Sequence, residues 1–377
     1  MRFNPSRLVI ARKRRGFSRV ALARESGLGV RSIVYYESGE VVPSDEAVSS
    51  LVGTLRFPQT FFFGPDMAEL NPHGVSFRSL SSMTAAQRDS ALAAGAVALE
   101  FSKFIEARFE LPRPTLPDLR EFEPETAAQV LRTEWKIGER PIKNVVHLLE
   151  AHGARVFSLP VDSASVDAFS AWHDGLPLVL LNTMKSAERG RMDAAHELAH
   201  LTLHTHGGPR SRQAEVEADR FASAFLMPAG DILAHSSRNI SPTAILRMKG
   251  RWGVSAMALV RRLMTLQVLT EWKYRTLCVE FSKRGYRRSE PNGIARDNSQ
   301  VITKVLRMLR EEGVQRSMIA KDLRIDRTEL EAFLTGLVIA PVPSSQDGGQ
   351  TLRQSQAKTQ PPKLRVVQGK RKRDTTP

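Results

Sequence analysis

The sequence is poor in cysteine, with one in 377 residues, Cys278. A single thiol excludes an internal disulfide framework and suits a reducing compartment. In "RTLCVEFSKRG" it reads as a small packing residue rather than a nucleophile. Apolar runs are short too. None approaches the roughly 18 residues needed to span a bilayer. The opening "MRFNPSRLVIARKRRG" holds only the four-residue apolar run "LVIA", short of a secretory signal. A cytoplasmic protein with no membrane partner is expected. Acidic residues are also scarce: 40 Asp and Glu face 55 Lys and Arg, a net charge of +15. Residues 1–56 carry ten bases against five acids, and the stretch from Gln346 carries eight against two. Positive charge concentrated at both ends points to a polyanion, most simply nucleic acid.

The N-terminal stretch reads as short helices and tight turns. "PSRLVIARKRRG" stops at Gly16, "SRVALARESG" has Ser18 as N-cap and stops at Gly27, and "GVRSIVYYESGE" follows at once. Two short helices joined by a glycine turn form the helix-turn-helix pattern. Ala23 suits the helix crossing, and Leu22, Leu28 and Ile33 supply a small core. The second helix then offers Arg31, Ser32 and Tyr35 to a major groove of double-stranded DNA. The whole segment from "RLVIARKRRG" to "TFFFG" resembles the Cro/repressor-type (XRE) DNA-binding domain, and includes its closing "YESGEVVPS" turn. It departs from that family at Arg19, where glutamine is frequent; an arginine there is suited to bind phosphate.

Alanine-rich, amphipathic "TAAQRDSALAAGAVALEFSKFIEARFEL" predicts a helical connector over residues 66–120, broken at "LPRPTLPDL". Two helices follow. "ARVFSLP", "VDAFSAW" and "LPLVLLN" then read as three strands, the last two joined at "HDG". "LPLVLLN" or its hairpin partner is expected to pair with an extended substrate by edge addition. "TMKSAERGRMDAAHELAHLTLH" is one long helix.

That helix carries His196-Glu197-Leu198-Ala199-His200. Imidazoles at i and i+4 share a helix face, the arrangement two zinc ligands require, and the glutamate between them is placed to act on a zinc-activated water. There are two candidates for a third ligand. His206 has metalloprotease spacing from His196, but Leu203 stands where the chain needs a glycine to turn, which disfavours it. In "AEVEADRFASAFLMP", Glu215 and Asp219 share a face, so Glu215 can ligate while Asp219 accepts the free N–H of a ligand histidine. Glu217 points elsewhere.

From about Pro141 to Pro228 these stretches are similar to the ImmA/IrrE metallopeptidase family. The resemblance implies His196, His200 and Glu215 as metal ligands, Glu197 as general base, one Zn2+ per chain (Mn2+ or another divalent ion being compatible), and a gluzincin-like endopeptidase. It also implies a substrate that is itself a repressor-type regulator, in stress or mobile-element control. His204, one turn after His200, is a candidate for a supporting or substrate-side role.

A gapless overlay places residues 12–39 on 309–336: Gly16 on Gly313, Arg19 on Arg316, Ala23 on Ala320 and Gly39 on Gly336. This predicts a second helix-turn-helix-like unit. Beyond Pro343 composition predicts disorder. The expected fold is multidomain and mainly α, with an N-terminal helix-turn-helix bundle, an α+β zincin-like domain with a small sheet, and a helical C-terminal region. Its expected boundaries are 1–65 for the DNA-binding domain, 66–120 for the connector, 121–275 for the peptidase, 276–342 for the helical C-terminal domain and 343–377 for a basic tail. A homodimer on two DNA half-sites fits such heads. The alternative is a regulator or antitoxin-like repressor whose peptidase-like domain senses a ligand or partner without cleaving.

Overall fold

The computed structural model describes residues 2–71, 75–77, 83–160, 166–204, 212–237, 239–286, 289–338 and 365–366. The head comprises α1 (Pro5–Arg14), α2 (Arg19–Ser26), α3 (Val30–Ser38) and α4 (Asp45–Leu55), closed by a 3-10 turn, Gln59–Phe63. Local chemistry starts three of these helices: the side chains of Asn4, Ser18 and Ser44 accept from backbone N–H groups of the first turn. Gly27 and Gly39 stop α2 and α3 at φ of 70° and 77°, a region open to glycine. Leu22, Ala23 and Ile33 are buried at the crossing, and Leu28 packs beside them half-buried.

The connector departs from the helical expectation. Strand β1 (Val75–Phe77) precedes α5 (Ala85–Glu106), and β2 (Phe109–Glu110) follows. Helical periodicity predicts α5, but the pairing of β1 with β4 joins residues far apart in sequence, which no local period records. The small residues of α5 let it lie close to its neighbours: a Cβ on Gly95 would stand 2.3 Å from Leu70 and 3.3 Å from Phe169.

The central region contains α6 (Pro124–Glu134), α7 (Val145–Ala151), β3 (Arg155–Ser158), β4 (Ala168–His173) and β5 (Leu176–Leu181). After these come α8 (Ala187–Leu203), α9 (Arg212–Leu226), α10 (Ala229–His235), α11 (Pro242–Trp252), α12 (Ala256–Thr265) and α13 (Glu271–Lys283). The sheet order is β1-β4-β5-β3, with β3 parallel to β5 and the other pairs antiparallel. Asp174 and Gly175, both at positive φ, make the tight β4–β5 turn. Strand β5 ("LPLVLL") is paired on both sides, so it offers no free edge to a substrate, and the edge-pairing expectation fails for it. Its hairpin partner β4 meets β1 on its outer side.

The sheet divides two cores. Val156, Ala168, Val179 and Leu181 face the core of α8 and α9, whereas Phe157, Phe169, Leu178 and Leu180 face α5 and the head. The chain continues into α14 (Gln300–Glu311), α15 (Arg316–Asp322) and α16 (Arg327–Leu334). The buried apolar residues of these three helices join the core of the head, whereas Leu337, just beyond α16, joins the core of α8 and α9. Of the tail from 343, only β6 (Arg365–Val366) lies within the described residues, paired antiparallel with β2. No described helix is long and apolar enough to cross a membrane.

Candidate functional site

Helix α8 begins where Ser186 caps the N–H of Arg189, with Glu188 in the favourable first turn. Ala194, Ala195, Leu198 and Ala199 bury one stripe against the sheet, which leaves His196 and His200 on the face toward α9. The histidine Nε2 atoms lie 3.1 Å apart. Glu215, in the first turn of α9, places its carboxylate oxygens 3.4 Å from His196 Nε2 and 3.5 Å from His200 Nε2. Tetrahedral zinc with ligand bonds of about 2.0–2.1 Å requires donor separations of roughly 3.3 Å, so these three donors fit such an ion. The histidines are buried and Glu215 is about one-third exposed, which leaves one side of the group open to solvent.

The supporting hydrogen bonds give each imidazole an orientation. Asp219 Oδ1 lies 3.0 Å from His196 Nδ1. His200 Nδ1 lies 2.9 Å from His204 Nδ1, and His204 Nε2 lies 3.0 Å from Glu217 Oε2. One proton arrangement satisfies the chain with both ligand Nε2 atoms free to coordinate: His200 Nδ1–H donates to His204, whose Nε2–H donates to Glu217. Sequence reasoning set Glu217 aside as a ligand, and here it supports the site indirectly through His204. Burial pushes His200 down to about 4, which keeps it neutral as ligation requires. Burial opposes ionisation of Glu215, yet the two imidazoles hold its carboxyl at about 2.

Glu197 is fully buried, and its Oε2 accepts from Ser170 Oγ at 2.7 Å. Ser170 was missed in the sequence. Its signal was a hydroxyl in "AFSAW" at a β4 position that alternation turns toward α8. His206 lies outside the described residues.

The residues expected to face DNA lie on α2 (Arg19) and α3 (Arg31, Ser32 and Tyr35). Arg31 and Tyr35 are exposed on α3, and Ser32 is half-buried beside them. Arg19 is half-exposed while its Nε donates to Glu37 at 2.6 Å; Glu37 also holds Arg12. Arg19 therefore has a fixed direction and retains exposed surface. A separate cavity of about 890 Å³ opens beyond Asp219, between the start of α8, α9, α12 and α13, with Met192, Arg220, Arg261, Tyr274 and Tyr286 in its walls.

Residues 8–58 match the family model for the helix-turn-helix, and residues 149–264 match that for the IrrE N-terminal-like domain, a peptidase family. A comparison with curated proteins found no match. The second matched segment contains β3–β5, α8 and α9, and hence every member of the histidine–glutamate group. The chain thus joins an XRE-type helix-turn-helix DNA-binding domain to an IrrE-type metallopeptidase domain.

Proposed function

We propose that this protein is a DNA-binding transcriptional regulator whose second module is a zinc endopeptidase that cleaves a repressor-type protein, in stress or mobile-element control. The convergence of His196, His200 and Glu215 beside the buried Glu197 carries the reading. These three residues hold the ion, with Asp219 accepting the His196 N–H. Zinc suits two imidazoles and a carboxylate best, and manganese or another divalent ion is chemically compatible. When bound, zinc supplies Lewis acidity that polarises the scissile carbonyl and acidifies a water. Glu197 takes a proton from that water and passes it to the leaving amine. Ser170 holds one oxygen of the Glu197 carboxylate by its hydroxyl hydrogen bond. Arg31, Ser32 and Tyr35 read the operator, with Arg19 on phosphate, in a homodimer spanning two half-sites. Residues 1–65 serve recognition, 66–120 connection and 121–275 cleavage, followed by a helical domain over 276–342 and a basic tail over 343–377.

Metal content by mass spectrometry tests this directly. Wild type purified without added metal should carry one zinc per chain, lost in His196→Ala and Glu215→Ala. Zinc retained in Glu215→Ala would move the third ligand to Glu217 or His206. A wild type that stays metal-free after reconstitution would overturn the reading.

The cavity beyond Asp219 favours one other reading, a sensor that binds a small ligand and cleaves nothing. Glu197→Gln separates the two: loss of regulation with zinc retained indicates cleavage, and unchanged regulation indicates sensing.

A further inference from the structure

We propose that β1 is an internal occupant of the peptidase's substrate edge, so that a protein substrate binds by displacing residues 75–77 from β4. The inference rests on the peptidase reading above and extends it to the substrate-binding surface and the kind of segment that fits it.

The sheet topology isolates the edge. With β5 internal and β3 on the far side, β4 is the strand whose outer edge lies nearest the motif helix, and β1 covers it. The register is Val75 to Ala171, Ser76 to Ser170 and Phe77 to Phe169, antiparallel. Ser170 is the residue that bonds Glu197 Oε2. Residues directly opposite in an antiparallel pair share a face. Ser76 therefore stands on the same face as Ser170 and Glu197, while Val75 is buried in the opposite core with Phe169 and Ala171. β1 thus runs its backbone past the proposed base as an extended substrate would, in the pairing mode that needs only main-chain hydrogen bonds from the partner.

Among the described residues, β1 pairs with three of the six residues of β4. It lies between the DNA-reading head and α5, so the occupant of the edge is joined in sequence to the module that binds DNA. The same register defines the substrate: an extended stretch with a small residue opposite Ser170, preceded by an apolar residue that seats in the Val75 position.

Two variants of the zinc-loaded full chain test the proposal. Ser76→Pro removes a backbone N–H and fixes φ, which disfavours strand pairing. The double substitution Val75→Cys and Ala171→Cys places thiols on directly opposite residues, suited to a disulfide that locks β1 in place. The probe is a fluorescent peptide, GVSFRSLSS, with the sequence of residues 74–82. It should bind Ser76→Pro at least tenfold more tightly than wild type, and the oxidised double variant least, with reductant restoring wild-type binding. Hydrolysis of a casein substrate should follow the same order. Equal peptide binding by wild type, oxidised and reduced forms would overturn the proposal, and this comparison holds even if Ser76→Pro fails to fold. Peptide binding in the expected order with no hydrolysis in any form would keep the edge assignment and remove the peptidase reading. Equal hydrolysis in the locked and reduced forms would keep the peptidase and remove the edge assignment.

Discussion

At the N-terminal end, α3 turns Arg31 and Tyr35 to solvent; at the other end, α16 turns Glu329 into protein, where it meets Arg14 at 2.6 Å and Arg15 at 2.9 Å. The backbones run in parallel. α15 and α16 begin at Arg316 and Arg327, the positions that the gapless overlay pairs with Arg19 and Val30, the first residues of α2 and α3. Left-handed residues recur at the same places: Gly16 and Gly313, Gly27 and Arg324, Gly39 and Gly336. Even single bonds correspond, with Phe17 N–H donating to Arg12 O and Val314 N–H to Leu309 O. What differs is the face. The position of Ser32, half-buried in α3, is filled in α16 by Glu329, 3% exposed. Backbone signals specify three short helices in each unit, while the side chains on the last helix set whether its face turns to solvent or into the rest of the chain. The C-terminal unit also bridges the cores: Thr183 Oγ1 donates to Thr335 O, and Glu150 accepts from Ser299 Oγ and the N–H groups of Gln300 and Val301 at the start of α14.

The contrast predicts unequal responses. Removing Glu329 takes a carboxylate from two arginines, one of them 1% exposed, so Glu329→Ala should cost about 3–5 kcal/mol in urea unfolding. The equivalent Ser32→Ala should leave stability within about 0.5 kcal/mol.

The Glu150 cap should give the C-terminal junction a pH dependence. Burial pushes this carboxyl up to about 7 from an ordinary 4.5, against its hydrogen bonds from α14. Between those values the unfolded chain releases the proton that the folded chain keeps. Stability therefore falls as pH rises from about 4.5 to 7, by about 3 kcal/mol, and Glu150→Gln should flatten that window in unfolding measured against pH.

The paired glycines separate backbone from neighbourhood. Gly39→Ala meets Pro5 Cγ at 3.2 Å, whereas Gly336→Ala meets Thr183 Cβ at 2.6 Å. The left-handed conformation should cost each about 1–2 kcal/mol, with roughly 1–2 kcal/mol more at Gly336 for the contact, read from thermal unfolding. The smallest effect concerns binding. On duplex DNA selected by wild type, Arg31→Ala should lower affinity and reduce the salt-dependence slope by about one if it neutralises a phosphate; Arg327→Ala should change neither.

Much of this was legible in the chain. The cap at Ser18, glycine stops, hydrophobic periodicity and the two-residue turn at Asp174 and Gly175 are short-range rules, so α1–α3 of the head, α8 and the β4–β5 hairpin followed from sequence. So did the shared face of His196 and His200, because a helix sets its own i, i+4 geometry. Glu215 and Asp219 were likewise readable as a pair on one face, but their approach to His196 depends on how α9 packs against α8. Ser170 beneath Glu197, the relay from His200 through His204 to Glu217, the pairing of β1 with β4 and the inward face of α16 all join residues distant in sequence or on separate elements. Such contacts are selected by which surfaces close a common core, and no local periodicity records that choice.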